Sequence, residues 1–299
     1  METDFSFHAR MAGWIFAFIL MIALTISARA AKTTKQFVYI GTYTEQGSRG
    51  IYVCEFDPLT GRLSSPVLAV ETSQPSFLAA SSDRKFLYAV NELGHFNGEP
   101  AGAISAFSVG SESGKLTLLD QVSSRDPGPA YVVLDRAGHF ILVANYDRGS
   151  VAVLRLLPDG QIGDLTAFVR HKGFSLNRER QEGPHAHAIA MSPDNRFAIV
   201  ADLGLDQLLV YPFDGSSGML GKPRAIKTDP GVGPRHLVFN GNGKFLYVIN
   251  ELSSTITVYS YVPRDGAMAA VQTISALPAG FAGSNTAAEI VLHPSGRFL

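Results

Sequence analysis

A six-residue apolar phrase that returns about every fifty residues constrains this chain more than any other feature in it. FVYIGT begins at Phe37, FLYAVN at Phe86, FILVAN at Phe140, FAIVAD at Phe197 and FLYVIN at Phe245, and FL at Phe298 begins a sixth copy. Tight polar turns (DRK, AGH, DNR, NGK, SGR) stand before the last five. An apolar run precedes each of those turns: PSFLAAS, PAYVVLD, AHAIAMS, RHLVFN and AAEIVLH. A third run follows the phrase, as in GIYVCEF or GSVAVLRL, and alternates with the period of two expected of strands. A fourth, more polar stretch such as LTLLDQVSS completes the unit after a turn of the DPLTG kind. Four short strands per repeat predict an all-β chain, a β-propeller of four-stranded antiparallel blades whose innermost strands line an axial channel. Apolar residues at three-and-four spacing are missing beyond the N-terminal segment, and 29 glycines and 16 prolines punctuate the chain, which excludes helical and parallel α/β architectures.

The repeat counts to about five complete blades and the start of a sixth, which stops two residues into its second strand. A propeller closes by pairing its first and last strands, since a blade cut open leaves an unpaired edge. Residues 31–299 are therefore expected to be a propeller domain that is incomplete at its C-terminus. Residues 1–30 are set apart by WIFAFILMIALTI at 14–26, an uncharged run too short to span a bilayer comfortably, followed by Ala28 and Ala30. This predicts a signal peptide, or a membrane anchor if it stays uncleaved, and an exported, periplasmic or secreted protein. Glu2 and Asp4 beside Arg10 make its charged start a weak one.

With 46% apolar and 17% charged residues the chain has ample material for a core. A formal net charge of −1 offers no basic footprint for nucleic acid. Cys54 is the sole cysteine, so no internal disulfide can form; inside GIYVCEF it reads as a small buried hydrophobe. A haem-attachment CxxCH is absent, which argues against a redox propeller.

Polar residues interrupt the apolar pattern where innermost strands begin. His185 and His187 lie two apart and are expected to share a strand face, with Gly183 and Pro184 marking the loop before them. Arg235 and His236 stand at the same place in the next blade, and Glu289 in the blade after. Glu251 follows Asn250 at the end of the second strand, on the rim that antiparallel pairing shares with Arg235, although an exposed turn carboxylate looks the same in sequence. Arg180 belongs to a charged loop, NRERQ, that reads equally as a cap over the channel or as a solvated loop. The bland readings are a channel histidine bonded to backbone and an inter-blade salt bridge for Arg235. The histidine pair lacks a third ligand, so no metal is expected, and no cofactor.

These motifs resemble the seven-bladed lactonase family, which includes bacterial 6-phosphogluconolactonases of the propeller type and the fungal carboxy-muconate lactonizing enzyme. The resemblance is carried by YIGTYT from Tyr39, NRERQEGPHAH at 177–187, GVGPRH at 231–236, YVINEL at 247–252 and NTAAEIVLHPSGRFL from Asn285, and spans about residues 36–299. It implies seven blades and a lactone-ring hydrolase acting on a sugar-acid lactone. Its alternatives are a muconate-type cycloisomerase and a non-catalytic binding scaffold. It singles out His187, Arg235 and Glu251 as catalytic, leaving His185, His236, Glu289 and Arg180 to bind a small-molecule lactone or sugar acid. The family's further arginine, in an SNRG-like segment, would lie beyond Leu299. An exported protein would meet lactones other than the cytoplasmic 6-phosphate, so the implied phosphate substrate sits uneasily with the N-terminal segment.

Overall fold

The structure, a computed structural model, describes residues 35–299, and the predicted signal segment lies outside them. The five sheets expected from the repeat are present and antiparallel throughout. The first holds β1 (Gln36–Ile40), β2 (Gly50–Asp57), β3 (Arg62–Leu63) and β4 (Val67–Glu71), with β3 and β4 both paired to β2. The second runs β5 (Leu78–Ala80), β6 (Phe86–Asn91), β7 (Ala103–Val109), β8 (Leu116–Ser123), and the third β9 (Pro129–Leu134), β10 (Phe140–Asn145), β11 (Ser150–Leu156), β12 (Ile162–Arg170). The fourth comprises β13 (Ala186–Met191), β14 (Phe197–Asp202), β15 (Gln207–Asp214) and a split outer strand, β16 (Met219–Leu220) and β17 (Arg224–Lys227). The fifth runs β18 (Pro234–Phe239), β19 (Phe245–Asn250), β20 (Thr255–Val262), β21 (Ala267–Ser275). Two details differ from a plain reading of the repeat. Among the described residues no strand pairs with the inner side of β1, and the sixth run, around Ala287–Ile290, packs against Ile249 without forming a ladder.

The phrase that recurs in sequence is apolar at consecutive positions because both faces of the second strand are covered. On β6, Leu87 and Ala89 pack with Ile51 and Val53 of the first sheet, while Tyr88 and Val90 pack with Ile141 and Val143 of the third. On β10, Phe140, Leu142 and Ala144 turn the other way, toward Ala198 and Val200 of the fourth sheet. On β14, Ile199 and Ala201 meet Leu246 and Val248 of the fifth. Each strand is thus a layer between two neighbours, which removes the hydrophobic and polar alternation of a one-faced sheet. Sheets that touch only their neighbours in series, while their innermost strands converge, make a propeller. The convergence is direct: Phe77 of the second sheet lies 5.7 Å, centroid to centroid, from His236 of the fifth. Cys54 is buried as expected.

The phrase's leading phenylalanine has a partner of its own. Phe37, Phe86, Phe140 and Phe197 each sit under a glycine in the outer turn of the next sheet, Gly114, Gly160, Gly218 and Gly266. Gly160 adopts φ 88°, where a side chain is disfavoured, and a Cβ there would stand 2.2 Å from the Phe86 ring. Gly160→Ala is accordingly expected to destabilise the fold by about 2 kcal/mol or more, read as a lowered denaturation midpoint.

Candidate functional site

The innermost strands share an irregularity. In β9 the register passes from Tyr131↔Ala144 to Pro129↔Asn145, in β13 from Ala188↔Ala201 to Ala186↔Asp202, and in β18 from His236↔Ile249 to Pro234↔Asn250. One residue is left unpaired each time: Ala130, His187 and Arg235. Ser76 takes this place before β5, since Val90 N–H donates to Phe77 O and Glu92 N–H to Gln74 O. A bulge leaves the ladder and redirects its side chain. Here it directs all four into one cavity of about 490 Å³.

A second ring of equivalent positions closes the same cavity. The second strands β6, β10, β14 and β19 end on buried Asn91, Asn145, Asp202 and Asn250. Asn91 ties its own sheet to the preceding one through Thr72 and the Ser73 carbonyl, and Asn145 does so through the Ser124 carbonyl. The next residue, Glu92, Tyr146 or Glu251, turns onto the rim, Tyr43 holds that position after β1, and in the fourth sheet it is the fully buried Leu203. Glu92, Tyr146, Glu251 and Tyr43 all line the cavity.

Glu251 is the hub. Arg180 Nη2 donates to its Oε1 at 2.5 Å, Arg235 Nε donates to its Oε2 at 3.0 Å, and His187 Nε2 lies 4.0 Å from Oε2. Arg235 Nη1 also donates to the Ala288 carbonyl at 2.5 Å and stands 3.3 Å from His236 Nε2. His236 packs edge-on against Tyr131 and His187, both at 5.1 Å. Its Nδ1 approaches Glu289 Oε1 to 3.0 Å without the alignment of a directed hydrogen bond.

Arg180 arrives from the segment between β12 and β13, and one buried carboxylate anchors that segment. Asp206, in the turn after β14, accepts hydrogen bonds from Ser175 Oγ (2.5 Å), Gly231 N (2.6 Å) and Gly233 N (2.8 Å). Ser175 belongs to the Arg180 loop, and Gly231 and Gly233 lead into Arg235. Gln181, fully buried, completes the clasp by donating to Leu203 O and accepting from Asn177 N.

Of the seven residues expected from sequence, His187, Arg235, Glu251, Arg180, His236 and Glu289 line the cavity and His185 does not. The expectation that His185 and His187 share a face fails at the β13 bulge, which breaks the strand alternation between them. His185 precedes the strand and stacks behind Tyr146, ring centroids 4.4 Å apart, with Nδ1 donating to the Tyr146 carbonyl and Nε2 3.2 Å from Glu182. Tyr43, Ser76, Glu92 and Tyr146 escaped notice, although aligning the repeats would have placed Tyr43, Glu92 and Tyr146 on the Glu251 position and Ser76 on that of His187 and Arg235.

Burial, reinforced by the charges of Arg235, His236 and Arg180, drives the His187 imidazole well below its ordinary pKa, so it is neutral at pH 7. Its Nδ1 is buried without a hydrogen-bond partner. Burial raises the Glu289 carboxyl, but His236 and Arg235 outweigh it and hold the group below its usual range. Burial raises the Tyr146 phenol. Because the unfolded chain takes up a proton at His187 near pH 6.5 and the folded one does not, this residue's contribution to stability is present above about pH 6.5. It is lost at up to about 1.4 kcal/mol per pH unit as pH falls below that value. His187→Gln is expected to flatten that part of the stability profile, measured by denaturant unfolding between pH 7 and pH 5.

A neutral imidazole, two guanidinium groups and a carboxylate that aligns all three can activate water and hold a developing oxyanion. The family described as "Lactonase, 7-bladed beta-propeller" matches residues 37–299. The chain is 33% identical over 266 residues to a 6-phosphogluconolactonase of Bacillus subtilis, covering 89% of this chain and 74% of that protein. It is 31% identical over 268 residues to one from Formosa agariphila, covering 88% and 74%. Among solved structures, a periplasmic gluconolactonase of Pseudomonas aeruginosa superposes with TM-score 0.81 at 33% identity, covering 88% of this chain and 74% of that one.

Proposed function

We propose that this chain, which belongs to the seven-bladed β-propeller lactonase family, opens the ring of a sugar-acid lactone by attack of water in the cavity where its innermost strands begin. Lactone hydrolysis follows from the family; the residues that perform it and the sugar-acid substrate are our reading. The observation that carries it is Glu251, whose two oxygens bind Arg180 and Arg235 while His187 stands 4.0 Å away. Both Glu251 oxygens are engaged by guanidinium groups, which leaves neutral His187 as the group free to take a proton from water. His187 removes a proton from water as the water oxygen bonds to the lactone carbonyl carbon. Arg235 steadies the oxyanion, and collapse breaks the ring carbon–oxygen bond. The imidazolium, faced by Glu251, then returns its proton to the departing ring oxygen. Export is the companion proposal, supported by the apolar run at 14–26 and by the likeness to a periplasmic gluconolactonase.

The test is proton release on a panel of aldonolactones. With a base whose pKa lies well below that of free histidine, activity is expected to persist as pH falls from 7.5 to 6 instead of halving near 6.5. An acid limb centred at 6.5, absent in His187→Gln, would show that the imidazole is not held neutral as described.

A further inference from the structure

One of the second strands ends differently from its counterparts. Asn91, Asn145 and Asn250 each donate through Nδ2, to Thr72 and the Ser73 carbonyl, to the Ser124 carbonyl and Ser150, and to Thr255 and Thr257. Asp202 holds the same place on β14, and a carboxylate only accepts. Its side chain is wholly buried, where a charge without partners is costly.

Those partners come from both ends of the segment that carries Arg180. His171, the residue after β12, donates from Nδ1 to Asp202 Oδ2 at 2.5 Å, and its own side chain is 2% exposed. His185, the residue before β13, donates its backbone N–H to Oδ1 at 2.8 Å, and Leu205 N donates to the same oxygen at 3.0 Å. One carboxylate thereby closes residues 171–185 into a loop at its base. The His171 ring lies near-parallel to Tyr211, at 18° and 6.1 Å between centroids. Its Nε2 is buried without a hydrogen-bond partner among the described residues, so the bond to Asp202 is what distinguishes this imidazole from a phenyl ring. From His185 the connection runs on to the cavity: that ring stacks on Tyr146, and Tyr146 meets His187 edge-on at 5.3 Å. Neither His171 nor Asp202 lines the cavity. Both sheets involved are packed between neighbours, the third against the second and fourth, the fourth against the third and fifth.

We infer that His171 and Asp202 are positioning residues for the lactone hydrolysis proposed above, on which their functional role rests: the pair clasps the base of the 171–185 loop and so holds Arg180 against Glu251 before substrate arrives. An arginine on a loop open at its base must be ordered at each binding event, and that ordering is subtracted from affinity.

The experiment uses the full chain with two variants. His171→Phe keeps a ring against Tyr211 and loses the donor. Adding Asp202→Asn gives β14 the residue its three counterparts carry and leaves no unpaired buried charge, so the double variant is expected to melt closer to wild type than His171→Phe does. Trypsin cleavage after Arg178 and Arg180, followed where each protein stays folded, reads the loop without reference to activity. It is expected to quicken by about tenfold or more in the double variant. With aldonolactones as substrates, KM is expected to rise by about tenfold in that variant, with kcat changed less. In an Arg180→Ala background the same pair of substitutions is expected to alter kcat/KM by less than about twofold, since the clasp acts through Arg180. Cleavage at the wild-type rate in both variants would overturn the clasp. Quickened cleavage with an equal loss of kcat/KM whether or not Arg180 is present would overturn the positioning role and leave a structural one. No turnover of any lactone by a cooperatively melting wild-type chain would remove the hydrolase reading and the positioning role together, and the cleavage rates would still decide the clasp.

Discussion

Replacing Arg235 with alanine is expected to lower kcat/KM for lactone hydrolysis by about a thousandfold, some 4 kcal/mol of transition-state stabilisation. Arg235 is the unpaired residue of the β18 bulge, so its side chain points into the cavity without contributing to a hydrophobic core. Its removal takes away the donor proposed to steady the oxyanion and one of the two cations that hold Glu251. The loss should fall mainly on kcat, because the group acts on charge that develops only in the transition state. Arg235→Lys keeps the charge but loses the simultaneous contacts to Glu251 and Ala288, and is expected to recover a minor part of the activity. A kcat unchanged in Arg235→Ala would move the oxyanion role to Arg180.

Asp206 is expected to show the largest effect outside the cavity. Its carboxylate satisfies Ser175 Oγ, Gly231 N and Gly233 N, so Asp206→Ala leaves donors without a partner in a buried turn and should cost about 3 kcal/mol of stability. Because the same carboxylate ties the Arg180 loop to the segment leading to Arg235, activity should fall further than stability explains. KM is expected to rise at temperatures where the variant remains folded. Asp206→Asn, which keeps an acceptor of the same shape, should recover part of both. An Asp206→Ala protein with wild-type KM and a lowered melting temperature would mark Asp206 as purely structural.

The propeller was legible before any coordinates because its cause is local and repeated. A strand buried on both faces must be apolar at consecutive positions, and the turn before it must be polar, so FLYAVN, FILVAN and FLYVIN announce the architecture by composition and period. Four of the residues that line the cavity stood out for a related reason: His187, Arg235, His236 and Glu289 interrupt apolar runs where a core would not hold them, whereas Arg180 belongs to a charged loop and Glu251 reads equally as a turn carboxylate. Their distribution between cavity and support was not legible. His185 and His187 are two apart in sequence, and the rule that such neighbours share a face holds only while the ladder is regular.

What the sequence by itself determined is the unit: four strands, their order, the buried layers, and the kinds of side chain gathered at one rim. What only the tertiary structure decided is how those units compose a site. The bulges that release Ala130, His187 and Arg235 depend on pairing between strands, which no single strand encodes. The partners of Glu251 come from Arg180 in a long loop and Arg235 in the same sheet, 71 and 16 residues away. The Asp206 anchor joins segments 31, 25 and 27 residues distant. Hydrogen bonds of that reach form only after hydrophobic burial has packed neighbouring sheets together, so the electrostatics of the cavity is a property of the packed propeller and not of any one repeat.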